Sequence, residues 1–419
     1  MKILSVSHMN IWPSGENMGI PSIFNSQKYF VEKGHTVHFI CPANAKEQGY
    51  ENYYGINIYR FKFPLNFHIL PSLLSRLTLH KFLTRLISSF IFNLDWLMFE
   101  ICSLVWAIKI AYRFKPDIIY AHGLSPVFPA WIVSKIFRTK FIIRVYGTRE
   151  LYWAYKNTLS RMKEFRDYWA LKIPASYLII TKDATRADLL AKTLGVPDYK
   201  IKSYRNGVEF DMYNPDPEIK KRICEQLGIN PKLKIIISTA RIIPFYDVGK
   251  LVYALPQLFK ENSESVCIIA GDGPEKKSLE EFVQKHNIQS RVFWTGKVDR
   301  TYIKDLLNTA DIYVSTSDYS NCNNNTWEAM VTGKCIVTIE DELTKEIIVS
   351  GKDGILIQKD KLHTLPQVLK ELLENASYRQ QLANAMLIKS KEVLETWPQR
   401  MEKELKLLEE LVKNGSRKL

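Results

Sequence analysis

Short runs rich in valine and isoleucine recur in two sets along this chain, with helical segments between them. The first set is "KILSVSH", "TVHFICP", "DIIYAHG", "FIIRVYG" and "YLIITKD"; the second is "KIIISTAR", "SVCIIAGDG", "RVFWTGK", "DIYVSTS", "KCIVTIE" and "GILIQ". The runs are continuously apolar rather than alternating, the pattern of parallel strands covered by helices on both faces. The spacing predicts an α/β chain of two doubly wound, Rossmann-like domains, in keeping with 419 residues, too many for one core. Between the sets, "YRNGVEFDMYNPDPEIK" has little periodicity and many turn formers, which puts the joint near Asn206 to Pro217. The expected domains are 1–205 and 206–390. A charged amphipathic helix in 391–419 is expected to pack back toward the first domain.

A nicotinamide dehydrogenase could be built on two such domains. The loop after the first strand, "NIWPSGENMGIPS", carries Gly15 and Gly19 but no GxGxxG. The second strand ends in Cys-Pro, where an acidic ribose ligand would stand. The six cysteines show no paired spacing, which fits a reduced, cytosolic chain. "MKILSVSHMN" turns polar too soon for a signal peptide and reads as a first strand.

Charge is uneven. Residues 1–200 hold 26 cations against 13 acids, and the remainder 32 against 31, so the first half is expected to meet an anionic partner. Between Asn52 and Leu94 lie Arg60, Lys62, Arg76, Lys81 and Arg85 with no acid, followed by "LISSFIFNLDWLMFEICSLVWAIKIAY". Asp95 and Glu100 interrupt that run too often for a transmembrane helix. Either it is a helix lying on a sheet, or it leans on an anionic lipid surface. No recognised nucleic-acid motif is present.

"STSDYSNCNNNTWEAM", Ser315 to Met330, puts four asparagines within five positions before a helical segment. Asn325 reads as its N-cap, with Glu328 three residues on able to complete a capping box. A helix fed by a strand is also an anion site at its N-terminus.

Taken together, "GHTVHFI", "PDIIYAHG", "RNGVE", "STARIIP", "AGDGPEKKSLEEFV", "TGKV", "ADIYVSTS", "WEAMVTGKCIV" and "SGKDGILI" resemble the retaining glycosyltransferases of family 4, which have the GT-B fold. The resemblance runs from residue 1 to about residue 400. It implies two Rossmann-like domains facing a central cleft, with a nucleotide-diphosphate sugar held mainly by the second and the acceptor by the first. It implies that the amides of Asn325, Thr326 and Trp327 meet the donor diphosphate and that Glu328 binds the ribose hydroxyls. The rest of the implied donor set is Gly19, Gly271, Gly273, Val298 and Ser320. Arg241, Glu328 and His122 form the implied catalytic set. Each has a plainer alternative: a solvated arginine for Arg241, a buried satisfied histidine for His122, and strand-to-helix turns for the glycines.

Two positions depart from the family. Ser320 stands where a second glutamate is usual, eight residues before Glu328, and Tyr246 stands where a lysine usually follows the arginine of "STARIIP" by five. "RIIPFYDVG" and "RVYGTREL" resemble a branch of the family with Tyr-Asp or Tyr-Gly at the first place and Tyr-Gly-Thr at the second. In a retaining mechanism without a protein nucleophile, the leaving diphosphate takes the acceptor's proton, so the protein's task is to hold charge and orient the acceptor. No metal or other cofactor is expected. The expected activity is transfer of a hexose to a glycan or lipid-linked acceptor, by a cytoplasmic protein peripheral at the inner membrane face. The alternatives are a GT-B nucleotide-sugar epimerase and a catalytically weak binding or scaffold protein.

Overall fold

A computed structural model describes residues 1–11, 21–43, 49–62, 81–148 and 151–416, with backbone alone at 81–93 and 415–416. It falls into two compact units. One takes Met1–Lys182, Arg186–Tyr204 and Met401–Leu419; the other takes Asp183–Thr185 and Arg205–Arg400.

In the first unit, eight strands form one sheet in the order β3-β4-β2-β1-β5-β6-β7-β8. They are β1 (Lys2–Ser7), β2 (Thr36–Pro42), β3 (Gly49–Tyr53), β4 (Ile56–Phe61), β5 (Ile118–His122), β6 (Lys140–Val145), β7 (Tyr177–Thr181) and β8 (Ile201–Tyr204). All pairings are parallel except β3 with β4. That hairpin and β8 are absent from the runs read in the sequence. β3 ("GYENY") is exposed for four of its five residues, and β8 ("IKSY") is half-buried throughout, so neither carries an apolar run. The β3–β4 turn has Tyr54 at φ 50° and Gly55 at φ 77°, the two positive angles of a tight hairpin loop.

The apolar run after the cationic stretch forms one helix, Lys81–Phe114. Phe99, Ala107, Ile110 and Ala111 pack into the core with Leu4, Val6 and Ile119, whereas Leu97, Ile101, Val105 and Tyr112 are exposed. The C-terminal helix, Trp397–Ser416, joins this unit from Met401 onward. Leu405 and Leu408 lie among Ile3, Phe30, Val37 and Phe39. The segment expected to begin at 391 therefore changes unit ten residues later, because the helix Ala376–Val393 runs through that point.

The second unit holds six parallel strands in the order β11-β10-β9-β12-β13-β14. These are β9 (Lys234–Thr239), β10 (Ser265–Ala270), β11 (Val292–Gly296), β12 (Ile312–Ser315), β13 (Cys335–Ile339) and β14 (Ile355–Ile357). Strand order reverses between β9 and β12, and in such sheets ligands bind beyond the carboxyl ends at that point. The loops leaving β9 and β12 carry Arg241 and the asparagine-rich segment.

Candidate functional site

The asparagines after β12 build a turn in which each has a separate task. Asn321 is fully buried; it accepts from Ser315 Oγ at 3.0 Å and donates Nδ2 to Ser317 O at 2.8 Å. Asn323, not Asn325, caps the helix Asn324–Val331: its Oδ1 accepts from the amides of Asn325 at 3.0 Å and Thr326 at 3.3 Å. Asn324 Oδ1 accepts from Asn206 at 3.0 Å, and Asn325 Nδ2 donates to Thr239 O at the end of β9. The capping box expected between Asn325 and Glu328 is thus absent, since both side chains have other partners. The amide of Trp327 is bonded to Asn323 O at 3.0 Å, so a ligand at this helix end would compete with Asn323 for the amides of Asn325 and Thr326. Thr326 bonds Asn321 O through its hydroxyl at 2.5 Å, and the indole of Trp327 lies in the core.

Glu328, one turn into that helix, is almost covered, and its charge is balanced by a residue absent from the sequence-based set. Arg300 Nη2 lies 3.2 Å from Glu328 Oε1, while Nη1 lies 3.6 Å from Glu209 Oε1. Burial pushes the Glu328 carboxyl up, Arg300 pulls it down, and Glu209 adds to the upward push. Arg300 is the first residue of the helix Arg300–Thr309, whose cap is Asp299 Oδ1 accepting from the Tyr302 amide at 2.8 Å. Its neighbour Val298 is half-buried against the unit's core.

Arg241 leaves β9 exposed, with its guanidinium over the ring of Tyr246 and Nη2 3.5 Å from the Tyr246 hydroxyl. The loop holding both is stitched to the β12 loop. Thr316 Oγ1 donates to Asp247 O at 2.8 Å, Ser317 Oγ donates to Phe245 O at 3.0 Å, and Phe245 stacks on Tyr319. Lys250 is paired with Asp318 and lies 3.0 Å from Asp247 Oδ2. Ser320 is buried in the turn, its amide donating to Ser317 Oγ at 3.1 Å. A Cβ on Gly271 would fall 1.9 Å from Ala240 O, and one on Gly273 2.1 Å from Ile242 O. These glycines are required where the loops after β9 and β10 touch, with Ile242 N donating to Asp272 O at 2.9 Å. Gly19 lies outside the described residues.

His122, at the end of β5 in the first unit, is fully buried. Its Nδ1 lies 2.6 Å from the Tyr146 hydroxyl, and its Nε2 3.2 Å from Ser5 Oγ and 3.4 Å from Gln27 Nε2. Burial lowers it to about 3, with Arg144 pushing the same way and Glu404 opposing. Both ring nitrogens are thus engaged within the interior of the unit. Beside it, Tyr120 donates to Glu404 Oε1 at 2.5 Å, and Arg144 Nε lies 3.6 Å from Glu404 Oε2. Glu404 comes from the C-terminal helix, a partner 284 residues from Tyr120 that no local pattern announces. Arg300 was equally hidden, because only the fold brings it to Glu328.

Of the five cations between Asn52 and Leu94, Arg60 is buried and paired with Glu51, just outside that stretch. It is therefore unavailable to a lipid surface. Lys62 is exposed, Arg76 lies outside the described residues, and only the backbone is described at Lys81 and Arg85. Among the described residues, no group of three His, Cys, Asp or Glu is placed to hold a metal ion, and no helix is long and apolar enough to cross a membrane.

The profile of "Glycosyl transferases group 1" matches residues 219–386, and that of "Glycosyltransferase Family 4" matches residues 22–211. An uncharacterised glycosyltransferase of Methanocaldococcus jannaschii is 23% identical over 84% of each chain. The alpha-D-kanosaminyltransferase of Streptomyces kanamyceticus is 20% identical over 67% of this chain and 75% of its own. The crystal structure of Anabaena HepE in complex with UDP-glucose superposes with a TM-score of 0.71 at 16% identity, over 97% of this chain and 99% of that one. The chain belongs to the family 4 glycosyltransferases of GT-B fold, and it is a transferase enzyme.

Proposed function

We propose that the protein transfers a hexose, with retention of anomeric configuration and without a metal, from a nucleotide-diphosphate sugar to a glycan or lipid-linked acceptor. The observation that carries this is the nearly buried Glu328 carboxylate, held by Arg300 one turn inside a helix that begins at the strand-order reversal of the second unit. A carboxylate there can accept two vicinal hydroxyls of a ribose while the helix N-terminus and Arg241 take the diphosphate. Asn325 ties the helix to the end of β9, two residues before Arg241, so the parts assigned to ribose and diphosphate share one rigid frame. The binding of UDP-glucose by the Anabaena protein supports a nucleotide sugar as donor.

In this reading Arg241 and the amides of Asn325 and Thr326, once released from Asn323, stabilise the charge that develops on the leaving diphosphate, while the Trp327 amide stays in the helix ladder on Asn323 O. Gly271 and Gly273 let the loops approach each other, and Val298 and Ser320 complete the donor wall. Tyr246 replaces the family's usual lysine, in keeping with the Tyr-Asp branch. His122 acts through Tyr146, whose hydroxyl it fixes.

The acceptor is assigned to a membrane face because the first unit exposes a broad apolar surface. Leu159, Met162, Phe165 and Trp169 stand out from the helices Thr158–Lys163 and Phe165–Lys172, alongside Arg161, Lys163 and Lys172. The test of the function is a binding panel of UDP, ADP and GDP followed by their sugars, with hydrolysis and transfer measured on those that bind. Glu328→Gln and Arg241→Ala should each weaken nucleotide binding and turnover. If both matched the wild type, the site would be misassigned.

A further inference from the structure

We infer that Arg300 is the positioning residue of the nucleotide site: its guanidinium keeps the Glu328 carboxylate charged and turned so that one oxygen stays available to neighbouring sugar hydroxyls. The inference rests on the assignment of Glu328 to the ribose. The geometry supports it in three ways. First, Arg300 Nη2 approaches Oε1 of Glu328 at 3.2 Å, while Nη1 leans toward Glu209 at 3.6 Å, so one cation spans two carboxylates from separate segments. Second, Arg300 opens a helix fixed by the Asp299 cap, which limits how far its stem can drift. Third, the charged and titratable groups facing Glu328 are Arg300 from that helix, Glu209 from the loop after β8, and the Tyr313 phenol of β12. Among these, Arg300 alone favours the ionised form.

Remove Arg300, and Glu328 is a nearly buried acid beside a second acid. Such a group takes up a proton rather than stay charged. A protonated carboxyl can still donate one hydrogen bond but no longer accepts from two hydroxyls as a carboxylate does. The loss should therefore be confined to ligands that carry the ribose hydroxyls, and it should recover as pH rises. An arginine acting directly on the phosphates would behave otherwise: its removal would weaken every nucleotide alike.

The experiment measures, by calorimetry from pH 6 to 9, the affinities of UDP, ADP and GDP and of their 2′,3′-dideoxy counterparts. The proteins are the wild type, Arg300→Gln, Arg300→Lys and Glu328→Gln. Differences between proteins at each pH are read, so that titration of the phosphates cancels. Arg300→Gln should bind the ribonucleotide about tenfold more weakly than the wild type at pH 6.5, with the gap closing toward pH 9, and should bind the dideoxy nucleotide as the wild type does. Arg300→Lys should restore part of the affinity, because it keeps the charge and loses the fork. A gap equal at every pH, a gap of the same size for the dideoxy nucleotide, or no gap at all overturns the role given to Arg300. If Glu328→Gln preserves the preference for ribose over dideoxyribose, the ribose assignment itself fails. If it abolishes that preference while Arg300→Gln behaves as the wild type, only the inference about Arg300 falls. Binding of none of the three diphosphates by the wild type would overturn both.

Discussion

The Tyr246 hydroxyl stands 3.5 Å from Nη2 of Arg241, and the guanidinium carbon lies 5.3 Å from the centre of the Tyr246 ring. An arginine resting on an aromatic face keeps its charge while losing some of its freedom, so the side chain is already ordered when an anion arrives. The ring does most of this, since the hydroxyl contact is long. Arg241→Ala should cost ~2 to 4 kcal/mol of transition-state stabilisation, whereas Tyr246→Phe should keep turnover within about threefold of the wild type. Steady-state transfer rates decide it. A collapse in Tyr246→Phe would mean that the hydroxyl itself touches substrate.

Charge at the diphosphate is supplied in this proposal by Arg241 and a helix N-terminus, with no carboxylate pair assigned to a cation. Transfer should therefore proceed at the same rate in EDTA as in its absence. A rate that falls on chelation and returns with added Mn²⁺ or Mg²⁺ would sink the metal-independent reading.

The cap shift from Asn325 to Asn323 can be measured. Asn323 uses its side-chain oxygen to accept two amides and its Nδ2 to donate to Ser320 O at 2.9 Å. Aspartate keeps the two amide bonds and adds a charge favourable at a helix N-terminus, which offsets the lost donor, so Asn323→Asp should change stability by less than about 1 kcal/mol. Asn325 uses its Nδ2 to donate to Thr239 O, and an aspartate there would face a carbonyl with no proton to give, costing ~1 to 3 kcal/mol. Urea unfolding of the two variants should show this order. Equal midpoints would mean that the side chain of Asn325 is not tied to β9.

What could be read in the sequence, and what could not, divides along physical lines. β9, β10 and β12 were legible because a strand buried on both faces must be apolar along its whole length. β3 and β8 sit at the sheet edges, where no such demand acts, and they left no trace. Within the asparagine cluster the existence of a capped helix was legible and its first residue was not. Asn323 and Asn325 are both good caps in isolation, and the choice between them depends on Thr239, which lies far off in the chain. Glu328 could be singled out from its motif, but its partner Arg300 lies 28 positions before it on another helix. A pairing set by tertiary packing leaves no periodic signal.

His122 makes stability depend on acid. Unfolded, its imidazole takes up a proton below about pH 6.5; folded, burial holds it neutral down to about 3. The unfolded state thus binds more protons across that window, so stability is full above it and falls as pH drops. The contribution lost between pH 7 and pH 5 is ~2 kcal/mol. His122→Asn will have its own offset, so the quantity to compare is the slope of unfolding free energy with pH. The variant should lose about that much less than the wild type over the same interval. Identical slopes would show that the imidazole is protonated in the folded protein.

The exposed apolar surface of the first unit also has a specific consequence. Monomeric proteins rarely leave large apolar side chains exposed together. Here Leu159, Met162, Phe165 and Trp169 project from two short consecutive helices, with Met162 69% exposed. The second of these packs on the long helix, where Arg166 lies over the Trp96 ring at 4.6 Å, and that helix exposes Leu97, Ile101 and Val105. Arg161, Lys163 and Lys172 border the patch, with Glu164 and Asp167 as the acids among them, and each cation adds ~1 kcal/mol near an anionic leaflet while each acid subtracts from it. Apolar side chains entering the interface and cations held at headgroup level would localise the protein reversibly, with an attraction that fades as salt rises. Co-sedimentation with vesicles of increasing phosphatidylglycerol content should therefore show binding that grows with lipid charge. It should weaken at high salt and drop in the Met162→Glu, Phe165→Glu double variant. Nucleotide affinity should survive that change, because neither residue lies in the unit assigned to the donor. Vesicle binding that ignored lipid charge and the double substitution alike would remove the membrane from the proposed function and leave a soluble glycan as the acceptor to seek.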